Sequence, residues 1–299
     1  MELSIIIVNY NTKDITRACL DSLVKWRDGI PARHASQGDA GGDWEIIMVD
    51  NGSTDGSIEM LKKYPGIKLI LNRKNLGFAK ANNKGIKIAK GKYILLLNSD
   101  TEVRQDSVQT MLRFMDGHRK AGAATCKLEL TNGQMDPACH RGFPTPWASF
   151  TYMLGLEKLF PTFPLFAGYH LGYKNMTIPH QVDCVSGAFF MARRDAIDEV
   201  GLLDEDYFFY AEDIDWAYRF KKKGWEIWFN PEATVLHKKK MSGRNSLMRS
   251  RAVTTEIYFH TYNWLFYKKH YAKKYGPLIS IPVNIFYSVR LFLLKQFSL

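Results

Sequence analysis

Residues 93–102 read YILLLNSDTE, five apolar side chains running straight into Asn98, Ser99 and Asp100. A run this apolar, bounded by Gly91 and Thr101, fits a strand covered on both faces of a parallel sheet. Ligands of open α/β sheets gather at the carboxyl ends of such strands. Asp100 is therefore either a ligand-binding carboxylate or a turn residue bonded to its own backbone, since Asn, Ser and Asp are ordinary turn formers.

Working outward, strand and helix signals alternate through the first 130 residues. LSIIIVNY, WEIIMVD and IKLILN read as strands, while TKDITRACLDSLVKW, GSIEMLKKYP and GFAKANNKGIKIAK carry helical spacing. This rhythm predicts right-handed βαβ units, an α/β chain with a Rossmann-like, mostly parallel sheet flanked by helices. The polar, Gly-rich stretch DGIPARHASQGDAGGD at 28–43 reads as a surface insertion of unusual length.

Three of the strands end alike. VNYN places Tyr10 and Asn11, VDNGSTDGS places Asp50 and Asn51, and LNSDT places Asn98 and Asp100 at successive carboxyl ends. Each piece has a local explanation as a cap or turn. Three together on one rim point to a binding site. The turn after the first strand lacks G-x-G-x-x-G, and no G-x-x-x-x-G-K-[ST] occurs, so neither a dinucleotide nor a P-loop nucleotide is supported.

The second half carries a different set. GAFFMARR reads as a strand, and AEDIDWAYRFKKKG as a helix whose first turn holds Glu212, Asp213 and Asp215 and whose stop is Gly224. The acids either complement the helix N-terminus or supply a base beside the aromatic run Tyr207 to Tyr210. ATVLHKKKMSGRNS sets His237 at a strand end before Lys238, Lys239, Lys240 and Arg244, a place to meet a metal or a phosphate.

Composition bounds the partners. The 299 residues are 46% hydrophobic and 24% charged, enough for one large core with an appendage. Lys and Arg number 41 against 30 Asp and Glu, a net +11 that calls for an anionic partner: nucleic acid, phosphorylated substrate or lipid surface. No nucleic-acid-binding motif accompanies the charge. Cys19, Cys126, Cys139 and Cys184 form no C-x-x-C pair and read as free thiols in a reducing cytosol, and MELSIIIVNYN has no basic region and cleavage site of a secretory signal.

In their order, SIIIVNYN, VDNGSTDGS, NLGFAKANNKGI, YILLLNSDT, SGAFFMARR, YAEDIDWAYRFKKKGW and ATVLH resemble family-2 inverting glycosyltransferases of the GT-A fold, most nearly the rhamnosyltransferase-like branch. The resemblance covers roughly residues 3 to 240 and implies a GT-A catalytic domain at 1–245 with a C-terminal helical segment at 246–299. It implies that Tyr10 stacks on the nucleotide base and Asp50 contacts it, with Asn11, Asn51 and Gly77 in the same nucleotide-sugar site. Asn98, Ser99 and Asp100 stand where the family has D-x-D, so Asp100 is the expected ligand of Mg²⁺ or Mn²⁺ and His237 completes the metal site. Asp213, with Glu212 beside it, is the expected catalytic base, and Lys238 and Arg244 belong to a loop that steadies the leaving diphosphate. Asn98 departs from the pattern. One carboxylate fewer weakens metal binding by the protein alone and leaves more of the coordination to donor phosphates.

The implied partners are a nucleoside-diphosphate sugar such as dTDP-rhamnose or a UDP-sugar, and a glycan or polyprenyl-linked glycan acceptor. The competing classes are a sugar-phosphate nucleotidyltransferase, which normally has a Gly-rich basic loop after the first strand where VNYNTKD has no Gly, and a non-catalytic anion-binding protein. The last stretch, PLISIPVNIFYSVRLFLLKQFSL, barely reaches the about 20 uncharged residues of a span. It reads as an interfacial helix on the cytoplasmic membrane surface, peripheral and preceded by lysines, or as a buried core helix.

Overall fold

In a computed structural model the chain is described over residues 1–28, 44–104, 106–239 and 249–296. Most of the 28–43 insertion and Arg244 lie outside these residues. The first four strands are β1 (Leu3–Asn9), β2 (Trp44–Asp50), β3 (Ile67–Leu71) and β4 (Tyr93–Asn98), and they alternate with helices α1 (Lys13–Asp28), α2 (Ser57–Leu61) and α3 (Phe78–Ile88). After them come β5 (Thr101–Val103), α4 (Ser107–Gly117), β6 (Ala121–Leu130), α5 (Pro146–Met153), α6 (Leu156–Leu159), β7 (His180–Val182) and β8 (Phe189–Arg193). The chain closes with α7 (Arg194–Val200), α8 (Glu212–Lys222), β9 (Glu226–His237), α9 (Arg249–His270) and α10 (Ala272–Gln296).

One nine-stranded sheet runs in the order β3-β2-β1-β4-β8-β6-β9-β5, with β7 on β9. The run that opened the sequence is its centre: Tyr93 to Leu97 are at most 2% exposed, because helices cover both faces. Strands β3, β2, β1 and β4 are parallel as expected. Beyond them the sheet is mixed, since β8 pairs antiparallel with both β4 and β6. The chain leaves β1 toward β2 on one side and returns to β4 on the other, so the carboxyl ends of β1 and β4 flank a switch point where a crevice opens.

Strand β9 is longer than the ATVLH run predicted. It begins at Glu226, and a register shift opposite Cys126 and Lys127 lets it bend and still pair with β6 to its last residue. Its antiparallel pairing with β5 sets His237 opposite Thr101, one residue beyond Asp100. The four cysteines are buried free thiols.

The C-terminal segment divides into two helices that pack differently. In α9, Phe266 and Tyr267 are at most 4% exposed, His270 Nε2 sits 2.6 Å from the Asp215 carboxylate, and Lys269 pairs with Asp204 and Asp206. Within α10 a left-handed φ of 66° at Gly276 breaks the helix. Past that kink α10 turns its apolar side outward, with Leu278, Ile281, Ile285 and Phe292 all more than half exposed. By length and composition it is apolar enough to cross a membrane.

Candidate active site

The site is assembled from loops at the carboxyl rim. After β1, Tyr10 keeps 38% of its surface exposed. Asn11 takes a left-handed φ of 53°, an angle asparagine tolerates, and its Oδ1 accepts the Thr54 N–H at 2.7 Å while its own N–H donates to Ser53 Oγ. The loops after β1 and β2 are thereby pinned together with Tyr10 at their mouth.

Asp50 and Asn51 lie beneath this mouth. Asp50 is fully buried, and its carboxylate accepts from Asn9 Nδ2 and from the Gly52 and Ser53 amides. These bonds shape the turn under Tyr10, and the carboxyl of Asp50 is the floor of that mouth. Asn51, 2% exposed, donates to Asn75 Oδ1 and the Gly77 carbonyl and accepts from Asn72 and the Leu76 amide. Gly77 follows in the same loop system. At φ 86° a Cβ there would meet the Phe208 carbonyl at 2.6 Å, so only glycine lets the 72–78 loop pack on the aromatic run before α8.

The end of β4 faces the other half. Asn98 N–H donates to the Ala188 carbonyl at 3.1 Å, Ser99 Oγ lies 3.4 Å from Thr12 Oγ1, and Asp100 is 4% exposed. His237 brings Nε2 to 3.3 Å from Asp100 Oδ1, while its Nδ1 donates to Asp136 at 2.8 Å. Asp136 is the residue that the sequence reading missed. It follows β6 in a turn held by its N–H on the Leu128 carbonyl, has no exposed surface, and also accepts from Lys239 at 2.6 Å. Burial alone would lower the His237 pKa, but its bonds to Asp100 and Asp136 push it up to about 9. Burial would raise the Asp136 carboxyl, yet the His237 and Lys239 bonds outweigh it and hold that acid well below the carboxylate range.

A carboxylate that orients one ring nitrogen of a histidine and so presents the other is the usual support behind a metal-binding imidazole. Asp100 and His237 therefore fit a divalent ion as a two-ligand platform. Among the described residues no group of three or more His, Cys, Asp or Glu could hold one, in keeping with the missing carboxylate at Asn98. The Lys238 N–H caps the Asp100 carbonyl, and its ammonium pairs with Glu102.

The acid cluster opens α8. Tyr210 and Ala211 hold φ of 77° and 65°, strained values for residues with a Cβ, and this tight bend delivers Glu212 and Asp213 to the rim. Asp213 Oδ2 accepts from Arg141 at 3.0 Å and from the Gly187 N–H at 3.2 Å, and Oδ1 accepts the Ile214 N–H at 2.8 Å. Gly187 adjoins Ala188, whose carbonyl takes the Asn98 N–H, so the two halves of the rim meet across the turn before β8. Glu212 is 6% exposed, and its Oε2 has no hydrogen-bond partner among the described residues. Burial, with the Asp213 charge next to it, pushes its carboxyl up to about 8. Asp215 is turned away from the rim toward Arg219 and His270. Arg141 gave no periodic or motif signal in the sequence; an arginine beside glycine in HRGF is silent until the fold carries it to Asp213.

Comparison with known proteins agrees with this layout. The N-acetylglucosaminyl-diphospho-decaprenol L-rhamnosyltransferase of Mycobacterium tuberculosis is 28% identical over 208 residues, which are 65% of this chain and 66% of that protein. The poly(ribitol-phosphate) beta-glucosyltransferase of Bacillus spizizenii is 31% identical over 177 residues, 54% of this chain and 25% of that one. The chain thus spans under two thirds of the length of these relatives. A mannosyltransferase from Pyrobaculum calidifontis, solved with GDP-Man and Mn²⁺, superposes on 98% of this chain and 69% of its own with a TM-score of 0.59 at 15% identity, a likeness of fold alone. Residues 4–201 match glycosyl transferase family 2, and the chain belongs to that family of glycosyltransferases.

Proposed function

We propose that the protein transfers a sugar from a nucleoside-diphosphate donor to a hydroxyl of a glycan or polyprenyl-diphosphate-linked glycan, with inversion at the anomeric carbon. The donor is dTDP-rhamnose or a UDP-sugar. The observation that carries this reading is the turn at 187–188, which binds Asn98 through one residue and Asp213 through the next, so that a donor site and a base share one rim. Similarity to enzymes named for lipid-linked and polyol-phosphate acceptors supports the acceptor class.

Tyr10 provides an exposed face for a nucleotide base, with Asn11 fixing the loop behind it. Asp100 and His237 would hold Mg²⁺ or Mn²⁺, which when bound would supply positive charge to offset that of the leaving diphosphate. Asp213 accepts the proton of the acceptor hydroxyl. Arg141 and Gly187 engage Oδ2, while Oδ1 takes only the Ile214 amide and keeps a second lone-pair direction for that proton. The acceptor oxygen then attacks from the face opposite the diphosphate, a bond to the anomeric carbon forms, and the bond to the diphosphate oxygen breaks. Glu212 stays neutral and buried behind Asp213, so a single carboxylate carries charge there. The exposed apolar side of α10 supports a seat on the cytoplasmic face of a membrane that holds the acceptor.

Incubation with UDP-, dTDP- and GDP-sugars in Mg²⁺ or Mn²⁺ tests the reading. Release of a nucleoside diphosphate supports it. Pyrophosphate release from a nucleoside triphosphate and a sugar phosphate would instead mark a nucleotidyltransferase, and absence of both would leave a binding protein.

A further inference from the structure

The segment between β6 and β7 exposes a second large apolar surface that the site does not use. Trp147, Phe150, Met153, Leu154 and Leu159 lie on and between α5 and α6, with Phe163 just past α6, each roughly half exposed or more and Leu159 at 70%. Soluble monomers rarely leave such a contiguous patch open to water; it marks a membrane or a protein partner.

Charge decides between them. The single acid of residues 146–165, Glu157, is buried and bonded to His170, while Lys158 is exposed. Helix α10 carries no acid at all, and Lys268, Lys273 and Lys274 precede its apolar stretch. Two apolar surfaces whose own helices carry cations and no exposed acid, with an indole among them, match an anionic bilayer and its headgroup layer.

The α5 surface also approaches the base. The Tyr169 carbonyl accepts the N–H of Gly142, which adjoins Arg141, the residue that holds Asp213. The Tyr169 ring lies 5.0 Å from that of Tyr152 on α5. Helix α5 is thereby tied to the wall of the Asp213 site.

We propose that the α5–α6 segment is a second bilayer-seating surface which, together with α10, sets the protein on anionic lipid so that the acceptor hydroxyl reaches Asp213 from the membrane side. This rests on the membrane reading of α10 given above and adds to it a contact that α10 does not contain. Two inserted surfaces fix orientation, whereas one helix alone leaves the chain free to roll.

The test uses the full chain and vesicles of phosphatidylglycerol and phosphatidylcholine. Leu159→Glu with Phe160→Glu forms the patch variant, and Ile285→Glu with Phe292→Glu forms the tail variant. All four positions are exposed, so cooperative melting is retained. Each variant is expected to lower vesicle partition by roughly tenfold or more, the consequence of removing two apolar anchors. Independently of any charge substitution, the emission of Trp147, taken as the difference from Trp147→Phe, is quenched by lipids brominated on their chains. If the tail variant loses partition while the patch variant matches the wild type and Trp147 is blind to bromine, the inference is overturned and the reading of α10 stands. If the wild type itself ignores vesicles, both fall. A patch variant that changes the oligomeric state and not the partition overturns it in favour of a contact between copies of the chain.

Discussion

The Arg141 guanidinium donates to Oδ2 of Asp213 at 3.0 Å, with the two side chains only 11% and 14% exposed. Arg141 is held in turn by the Ala138 and Val185 carbonyls, so its position does not depend on Asp213. Removing one partner of such a pair leaves the other charge poorly solvated, at a cost of about 3 kcal/mol. Arg141→Ala should therefore melt lower and transfer more slowly. A variant that melts lower yet transfers at the wild-type rate would assign Arg141 to scaffolding alone.

Asp213→Asn keeps the shape and the Gly187 contact but cannot take a proton. Transfer should fall about 10²- to 10⁴-fold, the usual range for a lost general base, while donor binding measured by calorimetry is unchanged. Wild-type turnover in the variant would move the role to Glu212.

Asp100→Ala should abolish the metal-dependent part of nucleoside diphosphate binding, compared with and without EDTA. Asn98→Ala should act more mildly, since an amide oxygen is a weaker ligand than a carboxylate. Asp136→Asn, which loosens His237 without touching the diphosphate, should weaken metal affinity about 10- to 100-fold. Equal effects at positions 98 and 100 would show that the ligand is misassigned.

Glu212 gives a pH signature in stability. Its carboxyl is pushed up to about 8 in the fold against 4.5 unfolded, so between those values the unfolded chain ionises while the folded one stays protonated. Stability should fall as pH rises through that window and level off above it. Glu212→Gln removes the titration. Its melting temperature should match the wild type at pH below 4.5 and exceed it increasingly up to about 8. A constant gap would mean that the penalty is not electrostatic.

Periodicity and strand-end chemistry in the sequence were enough to determine the parallel half of the sheet and the rim that carries Tyr10, Asn98 and Asp100. These signals are local: a buried strand must be apolar throughout, and its end must turn with polar residues whatever the rest of the chain does. The tertiary structure alone decided how those polar groups are held. Asp50 and Asn51 are bonded by Asn9 and by the 72–77 loop, partners that no local pattern in the sequence reveals. Asp136 and Arg141 sit in a stretch with no periodicity, and they gain meaning only because β9 lies beside β6 and the 187–188 turn lies beside α8. The tail divides on the same principle. Apolar composition is shared by α9 and α10, and whether such a face is core or surface depends on what packs against it: α8 and the 204–210 segment cover α9, and past Gly276 the outer face of α10 is left open.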